Sequence, residues 1–124
     1  MHLYIGGAYQ GKLDCARARF GFRDEDIFTC TTEDEIRFLP CVRRLEEYVL
    51  RCLRLGADPV KALLEREAEW QDTVFIIRDI SSGVVPIDTE LRLWREAAGR
   101  VCGMLSARAE TVTRVFCGLE ERLK

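Results

Sequence analysis

The chain has 124 residues, 48% apolar and 32% charged, with a formal net charge of −2. That length suits one domain over residues 1–124 with a single core, and the charge balance gives no electrostatic reason to expect nucleic acid as a partner. No apolar stretch approaches the roughly 20 residues that span a bilayer, and the N-terminus lacks the charged-then-apolar plan of a signal peptide, so a cytoplasmic chain without a membrane span is expected.

His2 to Ile5 reads as a short strand that ends at Gly6. The next residues, GGAYQGK from Gly6 to Lys12, have the spacing of a phosphate-binding loop, G-x-x-x-x-G-K. Glycines let successive backbone N–H groups turn inward around a phosphate, the lysine neutralises the outer phosphates, and a helix start beneath adds its dipole. The candidate ligand-binding residues are therefore Gly6, Gly7, Ala8, Tyr9, Gln10, Gly11, Lys12 and Leu13. A Ser or Thr hydroxyl usually follows the lysine and holds Mg²⁺; here the residue is Leu13. The bland alternative is a glycine-rich turn with an exposed lysine, and the position between strand and helix favours phosphate binding over it.

A first helix is expected from Lys12 to about Phe20, stopped by Gly21, followed by a polar turn and a second strand from Ile27 to Cys30. From Glu35 to Leu55 the apolar residues Phe38, Val42, Leu45, Val49 and Leu53 step by four and three, the spacing of one helix face. Pro40 moves the start of the regular helix to about Leu39. Arg43 and Arg44 then fall on the opposite face, interleaved with Glu46 and Glu47, which reads as a solvated surface. Asp58-Pro59 is a cap and first turn for a further helix ending near Trp70. Thr73 to Ile77 is a continuous β-branched and aromatic run suited to a strand buried on both faces. It leads into Arg78, Asp79 and the loop ISSGVVP. Asp88 caps a long helix to about Ala109, Thr111 to Cys117 forms the last core strand, and the LEERLK tail turns back as an edge strand.

Strands alternate with helices throughout, so the expected fold is α/β, P-loop NTPase-like, with a mostly parallel sheet and helices on both faces. Ligands of such sheets bind at the carboxyl ends of the strands, where the Gly6–Lys12 loop and the loop after Ile77 both fall. Asp79, at the end of its strand, is the carboxylate placed to hold Mg²⁺ and assist catalysis; a loop-capping aspartate is the equal alternative. The six cysteines contain no C-x-x-C pair and the one histidine is His2, so they read as small buried hydrophobes rather than as zinc ligands or disulfides.

Three ordered segments, IGGAYQGK, DISSGVVPIDTELRLWREAAGRV and VFCGLEERLK, together resemble the bifunctional adenosylcobinamide kinase/adenosylcobinamide-phosphate guanylyltransferases of cobalamin assembly. Gly6, Gly7, Gly11 and Lys12 match that family's phosphate loop. Asp79 takes the place of its strand-end glutamate, Gly83, Val85 and Pro86 match the following loop, and Arg95, Gly99 and Arg100 match the helix after it. The resemblance implies a purine nucleotide, ATP or GTP with Mg²⁺, as cofactor. It also implies transfer of the γ-phosphoryl to cobinamide, with Lys12 and Asp79 as catalytic residues, and a homo-oligomer. No histidine lies between Lys12 and Asp79, where the family carries the one that is guanylylated. The second reading is a catalytically degenerate nucleotide- or corrinoid-binding regulator with the same fold.

Overall fold

The computed structural model describes residues 1–80 and 87–124. Strand β1 spans His2–Gly6 and helix α1 Lys12–Phe20. A single 3₁₀ turn at Asp24–Asp26 leads into β2, Ile27–Thr29, and β3 is Cys41–Arg43. Helices α2, Leu45–Arg54, and α3, Pro59–Glu65, come before β4, Val74–Arg78. Helix α4, Thr89–Arg108, then feeds β5, Thr111–Phe116, and β6, Leu119–Arg122. The sheet order is β2-β3-β4-β1-β5-β6, parallel throughout except for the antiparallel β5–β6 edge.

Local chemistry accounts for these bounds. Glycines bracket α1: Gly11 at φ 85° starts it, and Gly21 at φ 69° ends it with its N–H on the Arg17 carbonyl. Asp58 caps α3 by accepting from Val60 N–H, and Asp88 caps α4 by accepting from Leu91 N–H. Cys117 at φ 50° and Gly118 at φ 74° both take the left-handed conformation that a two-residue β5–β6 hairpin requires.

The sheet carries a core on each face. Leu3, Val42, Phe75, Ile77 and Val112 pack against Val49, Leu63, Val101 and Leu105 of α2, α3 and α4, with Trp70 buried among them. On the other face Tyr4, Ile76 and Val115 lie beneath Ala16 and Phe20 of α1. Successive β4 residues alternate between these cores, which is why the run from Val74 to Ile77 is apolar without interruption.

Two expected elements are corrected. The helix expected from about Leu39 to Leu55 is a strand, Cys41–Arg43, followed by a shorter helix, Leu45–Arg54. Cys41 faces the α1-side core and Val42 the other, an alternation too short to show as a period of two. Pairing of β3 between β2 and β4 completes the parallel sheet, and the Pro40 carbonyl accepts from Val74 N–H at 2.8 Å. Arg44, at φ 55°, makes the break between strand and helix. The apolar face of this segment, Leu45, Val49 and Cys52, is buried within this chain's own core. The helix expected to reach Trp70 ends at Glu65, with a 3₁₀ turn at Glu67–Glu69 carrying the chain onward.

Strands β1, β3 and β4 run parallel, so their carboxyl ends open on the same edge of the sheet. The loop after β1, the break at Arg44 and the Arg78-Asp79 strand end therefore converge. No helix among the described residues is long and apolar enough to cross a membrane.

A cationic cavity above the first glycine loop

Gly6 closes β1 where no larger residue fits: a Cβ there would lie 2.5 Å from the Val115 carbonyl oxygen. The loop then rises to Tyr9, fully exposed at φ 59°, and descends through Gly11 into α1. No side chain caps the N-terminus of α1, so its first N–H groups are left for a ligand or water. Lys12 curls back over the loop and donates from Nζ to the Gly7 carbonyl at 2.6 Å.

Gln10 fastens the loop to the β5–β6 hairpin. Its backbone carbonyl accepts from Gly118 N–H at 2.9 Å, and its Oε1 accepts from Cys117 N–H at 2.5 Å. The loop is thus braced from the β5 side of β1. Leu13 packs onto the α1-side core and also lines the cavity, where a hydroxyl would stand in an ordinary phosphate loop.

Above the loop is a cavity of about 440 Å³. One wall is the loop from Ala8 to Asp14; the other is made by Arg43, Arg44, Glu46, Ile76 and Arg78. Four cationic side chains line it: Lys12, Arg43, Arg44 and Arg78. None of the four forms an ion pair among the described residues, although five other arginines do. Burial lowers the Lys12 pKa, opposed by the nearby Glu46 carboxylate and reinforced by Arg78 and Arg43.

Glu46 is only 2% exposed. Its Oε1 accepts from the Arg78 backbone N–H at 2.9 Å, and its carbonyl accepts from the Trp94 indole at 2.7 Å. The Trp94 ring in turn lies 5.9 Å from the Arg78 guanidinium carbon. Glu46 therefore ties α2, β4 and α4 together beneath the cationic wall.

Of the predicted loop residues, Gly6 ends β1, Gly7 to Gly11 form the loop, and Lys12 and Leu13 open α1; Ala8 to Leu13 line the cavity, whereas Gly6 and Gly7 do not. Asp79 is not among the residues that line the Lys12 cavity. Its N–H donates to the Gly6 carbonyl at 2.7 Å, and it lines a second cavity of about 350 Å³ with Gly7, Ala8, Trp94 and Arg95. The two cavities share Ala8 and Arg78. The matched residues Gly83, Val85 and Pro86 lie outside the described residues. Arg100 is exposed, and Arg95 is half-buried beside Asp79.

Arg43, Arg44 and Glu46 were read from sequence as a solvated helix face, and the structure corrects this. A helix through Val42 turns them away from the glycine loop, whereas the end of a parallel strand aims them at it. The available signal was Pro40 followed by Cys-Val and two arginines immediately before a helix start: a second strand-to-helix junction opening on the same edge.

No family model matches the chain. It is 37% identical over 101 residues to the RecBCD enzyme subunit RecC of Mycobacterium tuberculosis (strain CDC 1551 / Oshkosh). It is 36% identical over 101 residues to the same subunit from strain ATCC 25618 / H37Rv. Each match covers 73% of this chain and 9% of the relative, so the chain corresponds to a small part of those proteins. This overturns the resemblance to the adenosylcobinamide kinase/guanylyltransferases, because the relatives found are RecC subunits and nothing points to cobalamin assembly. The assignment of cobinamide phosphorylation falls with it, as does the degenerate regulator of that fold. The exclusion of nucleic acid as a partner is withdrawn too, since the relatives carry the name of a RecBCD enzyme subunit.

Proposed function

We propose that the cavity above the Gly6–Lys12 loop binds the phosphate groups of an anionic ligand, in the manner of P-loop proteins. The observation that supports this most is the set of four cations around one cavity, none of them neutralised by an ion pair among the described residues. Positive charge gathered around one concave site attracts an anion and holds it there. The strand order supports a P-loop reading: β1 lies between β4 and β5, and its carboxyl end leads through the glycine loop into α1. Backbone N–H groups of Gly7 to Lys12 would cradle one phosphate, Lys12 would leave the Gly7 carbonyl to meet another, and the arginine wall would hold the outermost.

The phosphates belong to a free nucleoside triphosphate or to a nucleic-acid strand, and the G-x-x-x-x-G-K spacing of the loop favours the first. Calorimetric titration with ATP, GTP and a 5′-phosphorylated single-stranded oligonucleotide separates them. The expected result is saturable triphosphate binding that Lys12→Ala weakens roughly ten- to hundredfold, the loss of a charge-assisted contact of about 1.5–3 kcal/mol. Binding of the oligonucleotide alone would assign the site to a nucleic-acid strand. Absence of all binding, or affinity unchanged in Lys12→Ala, would overturn the site.

A further inference from the structure

We infer, resting on the phosphate-binding reading, that this cavity takes its polyphosphate without a divalent cation, the guanidinium groups of Arg43 and Arg44 serving in the metal's place. A phosphate loop ordinarily recruits the metal through the hydroxyl after its lysine, and this chain has Leu13 there, packed into the α1-side core. Of the two acids that line the cavity, Glu46 has Oε1 committed to the Arg78 backbone N–H at 2.9 Å, and Asp14 is exposed on the first turn of α1. Asp79 lines the neighbouring cavity rather than this one. Among the described residues no three histidine, cysteine or acidic side chains gather as a metal site.

Lys12, Arg43, Arg44 and Arg78 face Asp14 and Glu46 around the cavity, so cations outnumber acids there by four to two. Guanidinium groups also bind phosphate oxygens through paired N–H donors, supplying directional contacts as well as charge. Arg44 reaches the cavity from a left-handed backbone, φ 55°, which an arginine adopts only against a steric cost. That cost sits in a residue lining the cavity wall.

Equilibrium titration with inorganic tripolyphosphate tests the inference, performed once with EDTA and once with millimolar Mg²⁺. The expected result is binding in EDTA that Mg²⁺ leaves unchanged or weakens several-fold, because the metal competes with the arginines for phosphate oxygens. The double variant Arg43→Gln/Arg44→Gln should lose at least tenfold in EDTA and regain part of that loss when Mg²⁺ is added. Both arginines are at least partly solvent-exposed, so the variant should fold, and its circular dichroism and melting curve check this. Binding that requires Mg²⁺ would overturn the inference and leave the phosphate site standing. Failure to bind under either condition would overturn both. A double variant that binds as tightly as the wild type in EDTA would overturn the role of the arginines.

Discussion

Replacing Arg44 by glycine separates the two things this residue does. Its φ of 55° is left-handed, a conformation that costs a residue with a Cβ roughly 1–2 kcal/mol. Glycine removes that cost but brings an unfolded-state entropy penalty of roughly 0.5–1 kcal/mol. Arg44 is exposed and its side chain forms no ion pair among the described residues, so little packing is lost. The Arg44 carbonyl, which accepts from Glu47 N–H at 2.9 Å to start α2, survives the change. The net effect on folding is therefore about 0 to +1.5 kcal/mol, an unchanged or slightly raised melting temperature, by up to about 5 °C for a domain of this size. Phosphate affinity should move the other way. Loss of one charge-assisted contact of about 1.5–3 kcal/mol weakens binding roughly ten- to hundredfold. Differential scanning calorimetry and tripolyphosphate titration on the same preparation read both quantities. A variant that melts several degrees lower and binds as tightly as the wild type would refute the reasoning, since Arg44 would then be a structural residue.

Three further outcomes follow from the geometry. Glu46→Ala should lower the urea midpoint, because the Arg78 N–H loses its acceptor at a cost of about 1–3 kcal/mol; Glu46→Gln keeps an acceptor, stays closer to wild-type stability and should bind tripolyphosphate more tightly. Thiol titration with an aromatic disulfide should show one fast cysteine, exposed Cys117, and lose that phase in Cys117→Ser, because burial raises the pKa of Cys30 to about 12 and of Cys41 and Cys102 to about 11; three or more fast thiols would contradict the packing. Burial and the neighbouring N-terminal ammonium lower the His2 pKa against the opposing pull of Glu110, so the fold favours the neutral ring, bonded to Thr111 Oγ1 at 2.7 Å. The stability this contributes is whole above about pH 6.5 and lost as pH falls below it, so urea midpoints should decline there and His2→Asn should flatten the decline; equal slopes would contradict it.

Much of the frame was legible in the residues, for identifiable reasons. Gly11 and Gly21 bracket α1, Asp58-Pro59 and Asp88 start their helices, and the run after Thr73 is buried on both faces, each a local signal that tertiary structure did not override. The glycine loop was legible because its backbone needs are local too. The opposite wall was not. Cys41–Arg43 is three residues long and owes its conformation to pairing with β2 and β4, a non-local term that spacing in one segment does not carry. Once Val42 was counted into a helix, Arg43, Arg44 and Glu46 turned to solvent with it. The resemblance to a cobalamin enzyme failed for a related reason. Its segments covered the loop, a strand end and a helix that many parallel α/β proteins share, while the sequence match extends to RecC over 73% of the chain.

The central claim is that one cavity, bounded by the Gly6–Lys12 loop and the arginine wall, receives phosphate. Titration of ¹⁵N-labelled protein with tripolyphosphate, followed amide by amide in ¹H–¹⁵N correlation spectra, tests it most directly. The account predicts the largest saturable shifts at Gly7 to Leu13, with a second group at Arg43 to Glu46 and at Arg78, and their loss in Lys12→Ala. Shifts spread over the surface, or confined to residues away from the loop, would contradict it.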